Sequence, residues 1–358
     1  MNKIVKFFTK DSSLIPLMAI LLGLLFGAVV MLLGGYNPLL AYTALFQKVF
    51  GDLYNIGETI RQITPLIFTG LSVAFAFRTG LFNIGAEGQF VMGSLGAVWI
   101  GTQFALPWYI HAPLAIIVGA LLGGFWGAIS GYLKAKRGVN EVITTIMLNY
   151  ISLYLANYII ANYLRAPGQQ RSEIIQDSAS ISLNTLSEFF GYARLHWGII
   201  LAILAAFVFY IILWKTKMGF ELRAVGFNPH AAEYAGMNVN KNVINAMFIG
   251  GVFAGLGGAI EVLGVFKYMT ISASLPGYGF DGIAVALIGA NTALGVIFAA
   301  ILFGVLEFGA AGMKFVAGVP IEVIEIVIAS VIFFVAASGL VKFILKPFRR
   351  KEKGGAVE

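Results

Sequence analysis

The chain contains no cysteine, which excludes a disulfide framework, a thiol nucleophile and a cysteine metal site. Histidine is scarce: His111, His196 and His230 are the three present, and no two stand at metal-ligand spacing. Charge is sparse as well, at 11% Asp, Glu, Lys and Arg against roughly 25% in a soluble domain. The dipeptide Gly-Lys never occurs, so there is no P-loop for ATP. G-x-S-x-G and H-E-x-x-H are missing too. A dinucleotide-binding fingerprint would need a preceding strand, and the pattern offers none. Any work driven by ATP must therefore borrow its motor from another chain. The low hydrophobicity that marks disorder is also lacking.

What the 358 residues do have is apolar length. Hydrophobic residues make up 59%, and the mean hydropathy is +0.87. A spanning helix takes about 20 apolar residues, so the composition allows about ten spans with short polar loops. The expected fold is an all-α polytopic membrane protein, a single permease domain over 1–358, with some helices broken. A signal peptide is not expected at the N-terminus, because the apolar run 14–33 is too long for one and carries no small-residue cleavage site. It reads as the first span. Further spans fall near 60–77, 81–101, 113–133, 141–163, 197–214, 242–265, 280–290, 292–313 and 320–341. The segment 280–290 is too short to cross alone and reads as a broken helix meeting its neighbour near Asn291.

The net charge of +7 points to membrane orientation rather than nucleic acid. Ten spans starting inside put most Lys and Arg inside, including Lys3, Lys6, Lys10, Lys134, Lys136, Arg137, Lys215, Lys217 and the tail from Lys346 to Lys353. That bias favours cytoplasmic termini. Loop 164–196 then lies outside and loop 215–241 inside.

Glycine is abundant, at 43 residues. Gly119, Gly123, Gly127 and Gly131 share one helix face, as do Gly251, Gly255 and Ala259. Such ladders let neighbouring backbones approach closely in lipid. Two Gly-rich acidic segments, Gly80–Gln89 and Gly277–Gly282, each place an acid before a glycine near a span start. They suggest an inverted repeat of 60–164 on 242–341, a common transporter design.

The inside loop carries Arg223-Ala-Val-Gly226-Phe-Asn228-Pro229-His230-Ala231-Ala232-Glu233-Tyr234-Ala-Gly236. Asn228 suits an N-cap, Pro229 the first helical position and Gly236 a left-handed stop. A two-turn helix in water gains little from propensity alone and is stabilised by docking. The pattern R-A-V-G-x-N-x-x-A-A-x-x-x-G resembles the coupling loop of ABC-importer permeases of the branched-chain amino acid and simple-sugar class. Three further segments are similar to the nucleoside-uptake branch of that class. They are Arg78-Thr-Gly80-Leu-Phe-Asn83-Ile-Gly85-Ala-Glu87-Gly88-Gln89, Gly138-Val-Asn140-Glu141 through Asn149-Tyr150, and Gly277-Tyr-Gly-Phe-Asp281-Gly282. The resemblance runs over roughly 14–345.

It implies a heteromeric importer in a bacterial plasma membrane, without an ATPase site of its own. Its partners would be a second permease subunit, a tandem ATP-binding subunit holding ATP and Mg, and an extracellular substrate-binding lipoprotein of the basic-membrane-protein type. Besides these it contacts membrane lipid and no nucleic acid. Residues Arg223, Gly226, Asn228, Pro229, His230, Ala231, Ala232, Glu233 and Gly236 would form the ATPase-coupling element, with Ala231 and Ala232 facing the ATPase.

Few polar side chains sit deep in the spans, where they are costly. Asn83, Glu87, Gln89, Asn149, Tyr150, Asn245 and Asp281 are the candidates for a translocation path or gate. Amides supply hydrogen bonds to a nucleoside, and Tyr150 supplies a wall. The competing reading is interhelical packing. Glu261 and Glu307 read as structural. A simple-sugar importer is the nearest alternative. An ion-coupled transporter would want paired deep carboxylates, and an intramembrane enzyme a His–acid or Ser–His dyad; neither pattern is present.

Overall fold

The computed structural model describes the backbone of residues 11–337 and 339, and side chains from 17 onward. The basic tail Lys346–Lys353 lies outside the described residues. Among the described residues the chain is helical, with no strand, as an apolar chain in lipid requires: a helix satisfies its own backbone.

The helices in order are α1 (Asp11–Leu33), α2 (Pro38–Phe50), α3 (Leu53–Arg78), α4 (Ala86–Gln103), α5 (Trp108–Arg137), α6 (Glu141–Ile159), α7 (Asn184–Phe189), α8 (Gly198–Lys215), α9 (Lys217–Phe227), α10 (Pro229–Tyr234), α11 (Val239–Glu261), α12 (Tyr278–Ile288), α13 (Ala293–Ala317) and α14 (Ile321–Ala336). Wider π-helical turns extend α6 over Ile160–Leu164 and α11 over Val262–Phe266. Among the described residues six helical segments are long and apolar enough to cross a membrane: Leu53–Arg78, Trp108–Arg137, Glu141–Leu164, Gly198–Lys215, Val239–Phe266 and Ala293–Ala317. The other four expected spans correspond to α1, α4, α12 and α14, which fall outside that set. At about 1.5 Å per residue, the 11 residues of α12 are well short of a roughly 30 Å core. Helix α2 was not expected. Asn37 caps it by accepting from the Leu39 and Leu40 amides, and Pro38 opens it.

The chain forms two compact units, Met1–Gly51 with Leu306–Glu358, and Asp52–Val305. In the first, α1 packs on α14 where Gly23 and Gly27 admit Val331 and Val327. Tyr42 Oη donates to Leu24 O at 2.6 Å, tying α2 to α1. In the second, α11 packs most closely on α5. The two glycine ladders meet here: a Cβ on Gly123 would come within 2.6 Å of both Gly251 O and Gly255 Cα. Gly119 faces Ala259 in the same seam. α4 also packs on α11, and α12 packs on α3. Outside the helices, the 165–196 segment is pinned by isolated bridges Arg165↔Ser172, Arg171↔Thr270 and Ser182↔His196.

Candidate functional site

The break between α3 and α4 is where buried polar side chains converge. Asn83, Glu87, Gln89 and Asn149 are all buried. Asn83 and Gln89 pair reciprocally: Asn83 Nδ2 donates to Gln89 Oε1 at 2.9 Å, and Gln89 Nε2 to Asn83 Oδ1 at 3.1 Å. Asn149, on α6, accepts from Gly88 N at 2.8 Å and donates to Ile84 O at 3.0 Å. The two Asn149 bonds satisfy backbone groups that the helix break leaves open.

Glu87 reaches a different element. Its Oε1 accepts from Gly277 N at 2.6 Å and its Oε2 from Gly279 N at 2.5 Å. Helix α12 has no side-chain cap of its own at Gly277, so a carboxylate from the first turn of α4 supplies it. The N-termini of two short helices thus meet, and the acid between them answers both positive dipole ends. Close approach demands glycine: a Cβ on Gly279 would meet Ala86 C at 2.7 Å, and Gly277 holds φ +99°.

The structure does not bring all the expected path residues together. Tyr150 is 54% exposed and turns away from this network. Asn245 is half-buried on α11 and takes no part in it. Asp281 lies in the first turn of α12.

Sequence reasoning missed a second polar cluster. Arg61 Nε donates to Glu58 Oε2 at 3.0 Å, and Arg61 NH1 to Glu261 Oε1 at 3.2 Å. Arg194 NH2 donates to Glu58 Oε2 at 2.7 Å, and Tyr278 Oη to Glu261 Oε1 at 3.3 Å. The i,i+3 pair Glu58–Arg61 inside an apolar helix was the available signal. Its bond to Glu58 raises the Arg194 guanidinium above its ordinary pKa. His196 stands nearby, buried; desolvation, aided by the Arg61 and Lys267 charges, pushes it down to about 4. Its Nδ1 accepts from Gly198 N at 3.0 Å. Beside the cluster lies a cavity of about 460 Å³, walled by Phe90, Glu261, Tyr278 and the 266–276 segment.

The 215–241 loop folds as two helices. Asn228 Oδ1 accepts from Ala231 N at 3.1 Å and caps α10, and Gly236 follows at φ +81°. Phe227 and Tyr234, at 91% and 97% exposure, flank α10 as bare aromatic faces. His230, Ala231 and Glu233 are exposed beside them. Ala232 is not: it is 4% exposed, turned into the chain between α9 and α11, the helices that α10 contacts. That corrects the expectation that Ala231 and Ala232 present one outward face, since neighbours on a helix point about 100° apart. Arg223 stacks its Cζ 4.1 Å from the Trp214 ring, and Gly226 abuts the Thr79–Gly80 turn.

The described residues form a polytopic helical body with a capped helix outside its apolar segments. The permease component of branched-chain amino acid transport systems matches residues 55–343, and the chain belongs to that family. It is a multi-pass protein of the plasma membrane. It is 54% identical over 338 residues to the guanosine ABC transporter permease protein NupP of Bacillus subtilis, covering 94% of this chain and 97% of that one. Identity to the nucleoside ABC transporter permease protein NupB of Lactococcus lactis is 42% over 347 residues, 95% and 94% of the two chains. The glucose ABC transporter permease protein TsgB13 of Haloferax volcanii is 34% identical over 338 residues, 91% and 88% of the two chains. No solved structure matches.

Proposed function

We propose that this chain is the membrane-crossing subunit of an ATP-driven nucleoside importer, and that α10 is where a separate ATPase pushes on it. The observation that carries the reading is the Asn228-capped helix with Phe227 and Tyr234 bare on its flanks. Large aromatics left in water are costly, and such anchors are enriched at protein interfaces. Arg223, Pro229, His230, Ala231 and Glu233 complete the docking element, with Gly226 near the end of α9 on one side of it and Gly236 at the turn on the other. ATP and Mg²⁺ work in the tandem ATP-binding partner. A second permease subunit and an extracellular binding lipoprotein complete the importer.

Ten spans with both termini cytoplasmic fit the charge distribution. An inverted repeat of 60–164 on 242–341 fits the packing, in which α4 lies on α11 and α12 on α3, the exchange a two-fold axis requires. The substrate follows the relatives: those named for guanosine and nucleosides are more similar than the one named for glucose. Asn83, Glu87, Gln89, Asn149 and Asp281 surround the meeting helix ends and act as a gate through packing rather than as free ligands.

Tyr234→Asp and Phe227→Asp test the docking. Membrane abundance should stay normal while ATPase co-purification and uptake of labelled guanosine fall. If both survive, α10 is a connector. Cysteines placed at Asp177 and Tyr234, in a chain with none of its own, should label from opposite sides; labelling from one side would end the ten-span topology. Uptake of guanosine, uridine and ribose by cells lacking the gene decides the substrate.

A further inference from the structure

The cavity of about 460 Å³ walled by the 266–276 segment falls within the range of small-ligand sites, about 300–1,000 Å³. Its polar wall is mostly committed to the chain. Asn157 donates to Ser272 O at 2.7 Å and accepts from Ser272 N at 3.1 Å, holding that segment in place. Ser94 Oγ lies 3.0 Å from Gly258 O. Glu261 differs. It is 2% exposed and its Oε1 serves Arg61 and Tyr278, while its Oε2 has no hydrogen-bond partner. A buried acceptor left unmade is costly, and this one belongs to the cavity wall.

Two further features narrow the ligand. Glu58 and Glu261 are matched by Arg61 and Arg194 in one bonded cluster, so the Glu261 carboxylate is balanced within the chain and needs no cation from a solute. Phe90 and Tyr278 stand with ring centroids 5.2 Å apart and planes tilted by 36°, two aromatic faces on the wall, against either of which a planar ring can stack.

We propose that this cavity binds a neutral, ring-bearing solute that donates a hydrogen bond to Glu261 Oε2. Resting on the importer reading above, that solute is the nucleoside in transit, bound by the permease itself. The donor is either a base N–H or a ribose hydroxyl.

The test is equilibrium binding of tritiated guanosine to the complex, purified with its ATPase and reconstituted in nanodiscs without the binding lipoprotein. In Glu261→Gln the amide oxygen stays on Arg61 and Tyr278, which donate to it, so an N–H replaces the acceptor that has no partner within the chain. Guanosine binding should weaken at least about tenfold. Ser274→Trp fills the exposed rim without touching the ion cluster and should also abolish binding. Competition with 1-methylguanosine and 2′,3′-dideoxyguanosine narrows the donor: loss with the first assigns N1–H, loss with the second the 2′- or 3′-hydroxyl, and loss with neither the 2-amino group or the 5′-hydroxyl. Glu261→Gln binding as wild type does overturns the proposal. If that variant fails to assemble, undiminished binding in Ser274→Trp overturns it instead. The importer reading is judged separately, by ATP-dependent uptake in the wild type, so uptake without binding at this cavity overturns the site alone, and absent uptake overturns the reading on which it rests.

Discussion

Glu87 belongs to α4 but caps α12, through two amides about 190 positions along the chain. Charge-assisted bonds of this kind contribute about 1.5–3 kcal/mol. Glu87→Gln keeps the size but turns one acceptor into a donor facing an N–H. It should lower the melting temperature of the detergent-solubilised protein, read by size-exclusion after heating; an unchanged melting temperature would show that the bonds contribute nothing. His196 gives a pH effect of definite sign. Its folded pKa is about 4, below the ordinary 6.5, so the folded state holds the neutral ring. As pH falls from about 6.5 to 4 the unfolded chain takes up a proton that the folded chain refuses, and stability drops. His196→Asn should remove that slope; a variant with the same decline would assign it elsewhere. Both residues stand out in an apolar sequence, and Asn83, Glu87, Gln89 and Asn149 were legible there as polar side chains needing partners. The partners themselves were not legible. Arg61 meets Glu261 200 positions away, and local spacing carries no information about which distant helix a side chain will face.

At the scale of the element, the glycine ladders of α5 and α11 were fully legible, because four-residue spacing fixes a helix face whatever covers it. The structure adds that the two ladders cover each other. Gly123→Leu would drive a side chain into Gly251 O and Gly255 Cα, each 2.6 Å from the first added carbon. Overpacking costs about 1–3 kcal/mol where neighbours can yield, and backbone cannot. Monodisperse protein recovered from membranes should fall sharply, whereas normal recovery would show the seam to be loose. Gly236→Ala is the contrasting case: open space surrounds it but φ is +81°, so the cost is mild, about 1 kcal/mol. Two elements escaped the sequence. Helix α2 announced itself only by Asn37-Pro38, a cap signal that lacked a long apolar run behind it. The inward turn of Ala232 escaped because a six-residue helix is too short for a periodicity to define its buried side.

Across the molecule, the cytoplasm-assigned loop and the helix break share one turn. A Cβ on Gly226 would lie 2.7 Å from Thr79 C and 2.9 Å from Gly80 N. Arg78, one residue before, donates to Asn291 O at 2.8 Å and Ala290 O at 2.9 Å, which form the turn after α12. The guanidiniums of Arg78 and Arg223 both lie over the Trp214 ring, at 5.9 and 4.1 Å from its centroid. On the importer reading proposed above, a push on α10 would reach, through Gly226 and the 78–80 turn, both α4 and α12, the two helices that Glu87 joins. We expect this contact to transmit motion, because rigid elements in direct contact carry coupling where they have two arrangements. Gly226→Ala forces the two backbones apart while leaving Phe227 and Tyr234 on the docking face. The complex should assemble and its ATPase should turn over, but guanosine uptake per ATP hydrolysed should fall about tenfold, equivalent to roughly 1.4 kcal/mol of lost coupling. Gly236→Ala, beyond the contact, should leave that ratio near the wild-type value. If Gly226→Ala transports with unchanged stoichiometry, the 78–80 turn is packing only and the stroke reaches the spans by another route.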